Sequence, residues 1–473
     1  MPKQLEEHMF RVQIPNRMMR EISLLRRACV TAVAMCGIAP MACVAQDAAA
    51  PVHLTLPQAI DMAMKQNRDV KLDKLGIADA KQKKDIARSS YFPKIANDSK
   101  MTYITELAGV AIPAGAFGDF STTGKVPGKT LFLDQGSSLS YTSGTNLDQP
   151  ATQLFRIHEA NRAAQADVRM ADIDLERGQD DVTLKTRELY DQVLIAQQKI
   201  EAAKQEIVAR TVKDDEARHD VERGNALTEA AMESHAAFLE AKQDELEAEL
   251  TLHGLMLSLA DLLGLPVHTP LVLDPETAMV DVPLPSREEC LRIAEAGSPE
   301  LRLAEQAIEK ARAGLAAAKD AYIPDVTGIA HYSYQSGVPL LVHNFGIFGF
   351  SLQYDLFDGG KRESQVRDAR TELEMSELSR QKLEDEITVQ LEQAYDKVDQ
   401  WREMTRAAEA VMTARAEAAR LSDREFEQSE VLPSATSEAH AQEAGSRAQL
   451  LAAQLSLSMA EAEVRRIIGA PRL

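Results

Sequence analysis

The sequence contains itself twice. Near residue 90 it reads Tyr91-Phe92-Pro93-Lys94-Ile95, and near 322 it reads Tyr322-Ile323-Pro324-Asp325-Val326, an offset of 231. At that offset Ala59, Ile60, Met62 and Ala63 fall on Cys290, Leu291, Ile293 and Ala294, and Asp69-Val70 falls on Glu300-Leu301. Farther on the offset becomes 205. There Tyr190-Asp191-Gln192-Val193 matches Tyr395-Asp396-Lys397-Val398, Ala209-Arg210 matches Ala414-Arg415, and Leu263-Gly264 matches Ile468-Gly469. The change places 26 extra residues in the first copy, between about 104 and 152. That stretch is rich in Gly, Ser and Thr and reads as an enlarged surface loop. An internal repeat constrains the fold because each copy must be one structural unit that packs against the other.

Each copy shows the same plan: helix, two short strands, long helix, turn, helix. The prolines Pro93 and Pro324 stop the first helix. From Ile347 to Phe357 the chain alternates, with Phe348, Phe350, Leu352, Tyr354 and Leu356 on one face and Gly349, Ser351, Gln353 and Asp355 on the other. Tyr332 and Tyr334 share a face on the strand before; Tyr103, Leu139 and Tyr141 hold comparable places in the first copy. Alternation with aromatics on the apolar side fits a lipid-facing barrel strand. A half-buried soluble sheet has the same period. Two hairpins cannot close a barrel, so the barrel reading requires an oligomer.

The long helices carry a heptad rhythm. Val182, Thr186, Leu189, Val193, Ala196, Ile200, Ala203 and Ile207 step by four and three, and Ile387, Leu391, Ala394, Val398, Trp401, Thr405, Ala408 and Met412 do the same. Such spacing makes an inter-helix seam. A helix over 152–221 measures roughly 105 Å and one over 362–425 roughly 95 Å. The flanking helices, 57–90 with 226–263 and 286–321 with 433–468, are each near half that length. A short pair stacked end to end matches one long helix, the geometry of a cylinder walled by antiparallel helices.

Composition supports long helices: aromatics are 5% of the chain. The net charge of −20 argues against nucleic acid, which needs a basic face. Arg20, Arg26 and Arg27 precede an apolar run from Ala28 to Ala45 that ends in Cys43-Val44-Ala45. This reads as a signal peptide over 1–45, cleaved after Ala45. The alternative is a transmembrane anchor, which the run approaches in length; Gly37, Pro40 and the small residues that follow favour cleavage. Met18 or Met19 is a more ordinary start than Met1, which would make residues 1–17 an artefact of start assignment. A lipidated Cys43 is the other option, for which Pro40-Met41-Ala42 is a poor match. Cys29, Cys36 and Cys43 lie in this segment, so the mature chain keeps Cys290 and can form no internal disulfide. No later stretch is continuously apolar for a membrane helix, so membrane entry would require a β-barrel.

In this order the features resemble the TolC-like outer membrane efflux protein family over about 51–473. The resemblance rests on the doubled plan, the Tyr-x-Pro helix ends, Leu356-Phe357-Asp358-Gly359-Gly360-Lys361-Arg362 where strand meets long helix, and the Glu222-Arg223-Gly224-Asn225 turn. It implies a fold that is mostly α with a small β part, divided into a first repeat at 51–266, an inter-repeat equatorial segment at 267–285 and a second repeat at 286–473. It implies a homotrimer in which the duplicated helix–β-hairpin–long helix–helix units form a twelve-stranded outer-membrane β-barrel and a long periplasmic α-helical barrel. The expected function is a passive exit duct in the outer membrane of a Gram-negative bacterium. Its expected partners are outer-membrane lipid, a periplasmic adaptor (membrane fusion protein) and an inner-membrane pump, in a tripartite efflux or type I secretion system. A periplasmic coiled-coil scaffold is the competing reading. Departures exist: residues 150–160 lack the Gly-Gly of the second copy, Ser429 stands where the first turn has Gly224, and the sequence after Gly469-Ala470 leaves room for only a small equatorial collar.

In that family the helix tips meet the adaptor. Carried over, the contacts are Arg223, Gly224 and Asn225 in one tip and Gln428, Ser429 and Glu430 in the other; ordinary helix turns are the alternative. An acidic ring at the periplasmic gate falls on Glu438, with Glu233 as its match in the first copy, while Ala435 carries no charge. The alternative is a solvated helix carboxylate. No catalytic or cofactor site is expected. His219, His235 and His253 lack a zinc-binding arrangement and read as solvated. Gly359-Gly360-Lys361 lacks the spacing of a phosphate loop.

Overall fold

A computed structural model describes residues 52–106, 109–133, 137–275, 283–337 and 342–469. The expected signal segment, 1–45, lies outside them, as does 276–282 of the inter-repeat segment. Two helices dominate: α3 (Leu154–Glu222) and α7 (Lys361–Glu427), of 69 and 67 residues. At about 1.5 Å per residue each is on the order of 100 Å long. Each turns back into a 35-residue helix, α4 (Thr228–Leu262) or α8 (Pro433–Ile467). Toward the tips α3 packs against α4 and α8, and α8 against α7; in the other half α3 packs against α2 and α6, and α6 against α7.

The expected helices over 57–90 and 286–321 are each broken in two. The first becomes α1 (Leu56–Gln66) and α2 (Arg68–Ser89), the second α5 (Arg287–Gly297) and α6 (Pro299–Asp320). Asn67 makes the first break. Its backbone leaves the helical region, its side chain caps α2 by accepting from the N–H groups of Asp69 and Val70, and its amide donates to Leu262 O at 3.1 Å. Ser298 makes the second, where Pro299 has no N–H to continue the ladder. Each break receives a left-handed glycine from the end of a neighbouring helix. A Cβ on Gly264 would sit 3.0 Å from Gln66 O, and one on Gly469 2.7 Å from Gly297 O. Only glycine lets these backbones meet.

Beside the breaks lies a small collar. Strand β1 (Val52–Leu54) pairs in parallel with β8 (Leu271–Leu273). Tyr190 is fully buried against it; its hydroxyl reaches the carbonyls of Leu54 and Asp274 at 2.9 and 2.8 Å and accepts the Asp274 N–H. Tyr395, its match at the 205 offset, reaches Pro285 O and Cys290 Sγ. Two apolar cores surround these phenols. One holds Leu54, Val193, Leu259, Leu263 and Leu271; the other holds Cys290, Leu391, Val398, Val464 and Ile468.

At the far end one antiparallel sheet runs β10 (Asn344–Gln353), β9 (Asp325–Ser336), β7 (Leu139–Pro150), β2 (Lys94–Tyr103). The strand expected over 347–357 therefore stops at Gln353, and Tyr354 and Leu356 lie beyond it. Asp358 and Arg362 take the chain out of the ladder there. The enlarged loop of the first copy is not structureless: β3 (Val110–Ile112) pairs with β6 (Leu131–Leu133), and β4 (Asp119–Phe120) with β5 (Gly124–Lys125).

Candidate functional site

The sheet has two unlike faces. Residues paired across strands point to the same side. Phe348 faces Ala330 and Leu147, Phe350 faces Gly328, and Leu352 faces Val326. Tyr332, Tyr334, Tyr141, Met101 and Tyr103 belong to this same face by register. Phe348 and Phe350 are each 82% exposed and Leu352 69%. The first copy reads weakly because this face carries Asn97, Ser99, Ser143 and Thr145, which satisfy one another: Asn97 donates to Thr145 at 2.9 Å, and Ser99 and Ser143 meet at 2.9 Å. The opposite face is mostly polar, with Phe345, Ile347 and Ile329 among its residues: His331 meets Asn146 at 2.6 Å, and Asn146 donates to Asp98 at 3.3 Å. Both outer strands, β2 and β10, leave an edge unpaired within the chain.

The junction between sheet and helix is built on Asp358. It accepts from the N–H groups of Gly360 and Arg362 and from Arg362 Nε at 2.7 Å, so it caps α7 from outside the helix. The Arg362 guanidinium and these N–H groups hold the Asp358 carboxyl down at about 2. Arg362 in turn lies over the rings of Tyr354 and Tyr322, at 4.8 and 5.6 Å. Gly359 and Gly360 have φ of 66° and 84°, which accounts for the Gly-Gly in this motif.

The two tips are the same turn. In the first, Gly224 has φ 79° and donates to Val221 O, while Asn225 donates to Asp220 O at 2.8 Å. In the second, Ser429 has φ 61° and donates to Phe426 O, while Glu430 donates to Glu425 O at 2.8 Å. Ser429 is the one non-glycine residue with positive φ among the described residues. Arg223 and Gln428 close their helices with ordinary backbone. A Cβ on Gly224 would meet nothing within 4 Å, so its turn constrains it through φ alone. The tips are tied together by Glu216 on α3, which accepts the Ser434 N–H at the start of α8 at 2.9 Å. Glu233 is exposed on α4 and Glu438 half-buried on α8; α3 packs against both helices.

His235, expected to be solvated, is half-exposed and also has a partner, as does His440. His235 Nδ1 lies 3.0 Å from Asp214 on the facing helix, with Arg218 beside them both. His440, its match at the 205 offset, lies 2.9 Å from Asp423. The repeat places the two histidines at matching positions, which is the sequence signal that could have found them. Among the described residues no helix is long and apolar enough to cross a membrane, and no cluster of side chains suited to a metal occurs.

The family model for outer membrane efflux proteins matches residues 59–265 and 290–470. Several solved structures share the fold. The chain is similar to the CmeC outer membrane channel of Campylobacter jejuni, with 15% identity and a TM-score of 0.68 over 88% of this chain and 86% of that one. It is similar to the open state of the MtrE outer membrane channel of Neisseria gonorrhoeae, with 16% identity and a TM-score of 0.69 over 88% and 89%. It is also similar to the outer membrane protein VceC of Vibrio cholerae, with 13% identity and a TM-score of 0.66 over 88% and 96%. No curated protein matches.

Proposed function

Because the chain belongs to the outer membrane efflux protein family, we propose that it is a passive outer-membrane exit duct, assembled from three copies of two duplicated units. The observation that carries this reading is the open four-stranded sheet, rich in exposed aromatics on one face and mostly polar on the other, with both edges unpaired within the chain. A free edge is a template for another strand. Four strands from each of three copies make a twelve-stranded barrel that leaves no edge, with Phe348, Phe350 and Leu352 toward lipid and His331, Asn146 and Asp98 toward water. Below it the helices of about 100 Å continue the wall across the periplasm.

In this assembly the tips at 223–225 and 428–430 are the adaptor contacts, and an inner-membrane pump drives the cargo. Glu438 lines the constriction near the tips as a ring of three carboxylates, with Glu233 on the neighbouring hairpin. Residues 1–45 are the export signal, and the units run 51–266 and 286–473 around the equatorial segment 267–285.

Mass measurement in detergent tests the assembly, with a trimer expected; a monodisperse monomer that still inserts into bilayers would overturn it. Fractionation tests the location, since a periplasmic scaffold would appear in the soluble fraction and a barrel only in detergent extracts of outer membrane.

A further inference from the structure

Midway along the helices, α3, α7 and α8 leave a recess of about 480 Å³. Its walls are Leu184, Ile195, Leu455 and Met459, with Trp401 at one side. Its charged members are Glu188, Asp191 and Glu463 against Lys397, which pairs with Glu463 at 3.3 Å. Asp191 is the anomaly. It is 2% exposed, and neither carboxylate oxygen has a hydrogen-bond partner. The Arg187 guanidinium acts on it only as a nearby charge, and Arg187 Nε is itself without a partner. A buried carboxylate without hydrogen bonds is costly to keep ionised, and a positive charge brought close to it offsets part of that cost.

The position of the recess is set by the two phenols. Tyr190 and Tyr395 point to the collar, and each helix residue advances about 100°. Residues 184, 188 and 195 on α3, and 397 and 401 on α7, therefore lie about 120–160° round from the phenols, turned away from the collar, with Asp191 to one side at about 100°. A collar inside a closed wall would fill the passage, so in the proposed trimer the collar is outside and the recess opens onto the tunnel.

We propose that this recess is a binding site for a monovalent organic cation with an apolar body, held between the carboxylates of Glu188 and Glu463 and the indole of Trp401, with the buried Asp191 carboxylate adding its charge from beneath the surface. The apolar walls take the body, and the ring face and carboxylates take the charge. Only the direction in which the recess opens rests on the duct reading; the binding site itself does not. Burial raises the Asp191 carboxyl to about 7, against the opposing charge of Arg187. The other charges around it are Glu188 on α3, Lys397 on α7 and Glu463 on α8, with Glu461 and Arg465 of α8 next to Arg187. A bound cation favours the ionised carboxylate, so binding releases a proton and tightens as pH rises through neutrality.

The chain has one tryptophan, so indole emission reports on this recess alone. Tetrapropylammonium chloride titrated into the detergent-solubilised protein should change that emission saturably, and sodium chloride of equal ionic strength should not. Affinity should be greater at about pH 8 than at about pH 6, and Asp191→Asn should weaken it about tenfold and remove the pH dependence. Absence of a saturable change in the unaltered protein, or equal affinity in Asp191→Asn, overturns the site. Should Asp191→Asn fail to assemble, Glu188→Gln replaces it, with weaker binding expected and unchanged affinity counting against the proposal. Bilayer conductance of the same sample separates the two readings: conductance without binding removes the recess and leaves the duct, and binding without conductance does the reverse.

Discussion

Single residues set the local conformation, and two of them do so at a measurable cost. Ser429 holds a left-handed φ of 61° where the matching turn has Gly224. That conformation costs an ordinary residue about 1–2 kcal/mol. Ser429→Gly should therefore slow hydrogen exchange of the amides at 428–430 by up to about tenfold, and Gly224→Val should speed exchange at 223–225. Asp191 carries a different strain. Its carboxyl is raised to about 7 in the folded chain, against about 3.9 when unfolded. Between those values the folded chain binds the extra proton. Its favourable contribution is therefore complete below about pH 4 and lost as pH rises through about 7. Asp191→Asn should stabilise the protein at pH above 7 by a few kcal/mol and flatten its stability profile over that window, as followed by thermal unfolding at a series of pH values. The same variant should lose the cation, so stability and binding move in opposite directions.

At the scale of elements, the helix breaks and the collar are where the folding pattern is decided. Asn67 satisfies two N–H groups of α2 and reaches Leu262 O across to α4. Asn67→Ala should cost about 1–2 kcal/mol in denaturant unfolding. Gly469→Ala should cost at least as much, since its Cβ would stand 2.7 Å from Gly297 O at a φ of 73°. Both breaks were missed in helices expected to run unbroken over 57–90 and 286–321, and only one of them carries a plain signal. Pro299 interrupts the second helix in plain sight, whereas Asn67 fits a helical pattern well enough that only its cap and its partner on α4 reveal the break. The long helices and both tips were legible because heptad spacing and the turn glycine Gly224 act within a few residues, and the repeat carries the same turn to Ser429. The end of β10 was not, because alternation continues in the chain through Leu356 while Asp358 and Arg362 pull the backbone out of the sheet.

For the molecule as a whole, the consequential feature is a sheet that is finished on its faces and unfinished at its edges. A charge on the apolar face should act far from any active group. Phe350→Arg should disfavour insertion by about 2–4 kcal/mol if it sits near mid-bilayer, and membrane fractionation should show less protein in the outer membrane with the helices still folded by circular dichroism. At the other end, if the proposed trimer brings three Glu438 carboxylates around one axis, Glu438→Gln should reduce cation preference in single-channel recordings, because such a ring attracts cations; unchanged selectivity would place the constriction elsewhere.

What the sequence determined by itself is the repeated order of elements, the lengths of the two long helices and their return arms, and the face of β10 that is apolar. Those properties follow from periodicity and turn chemistry, which are local and recur at the offsets of 231 and 205. Only the tertiary structure decided that Tyr190 and Tyr395 pin a collar, that His235 and His440 take aspartate partners across a hairpin, and that Asp191 is buried without a hydrogen bond. Each depends on which helix face meets which neighbour. Residue spacing alone does not specify that, because a carboxylate or an imidazole on a long polar helix has the same pattern whether water or another helix lies against it.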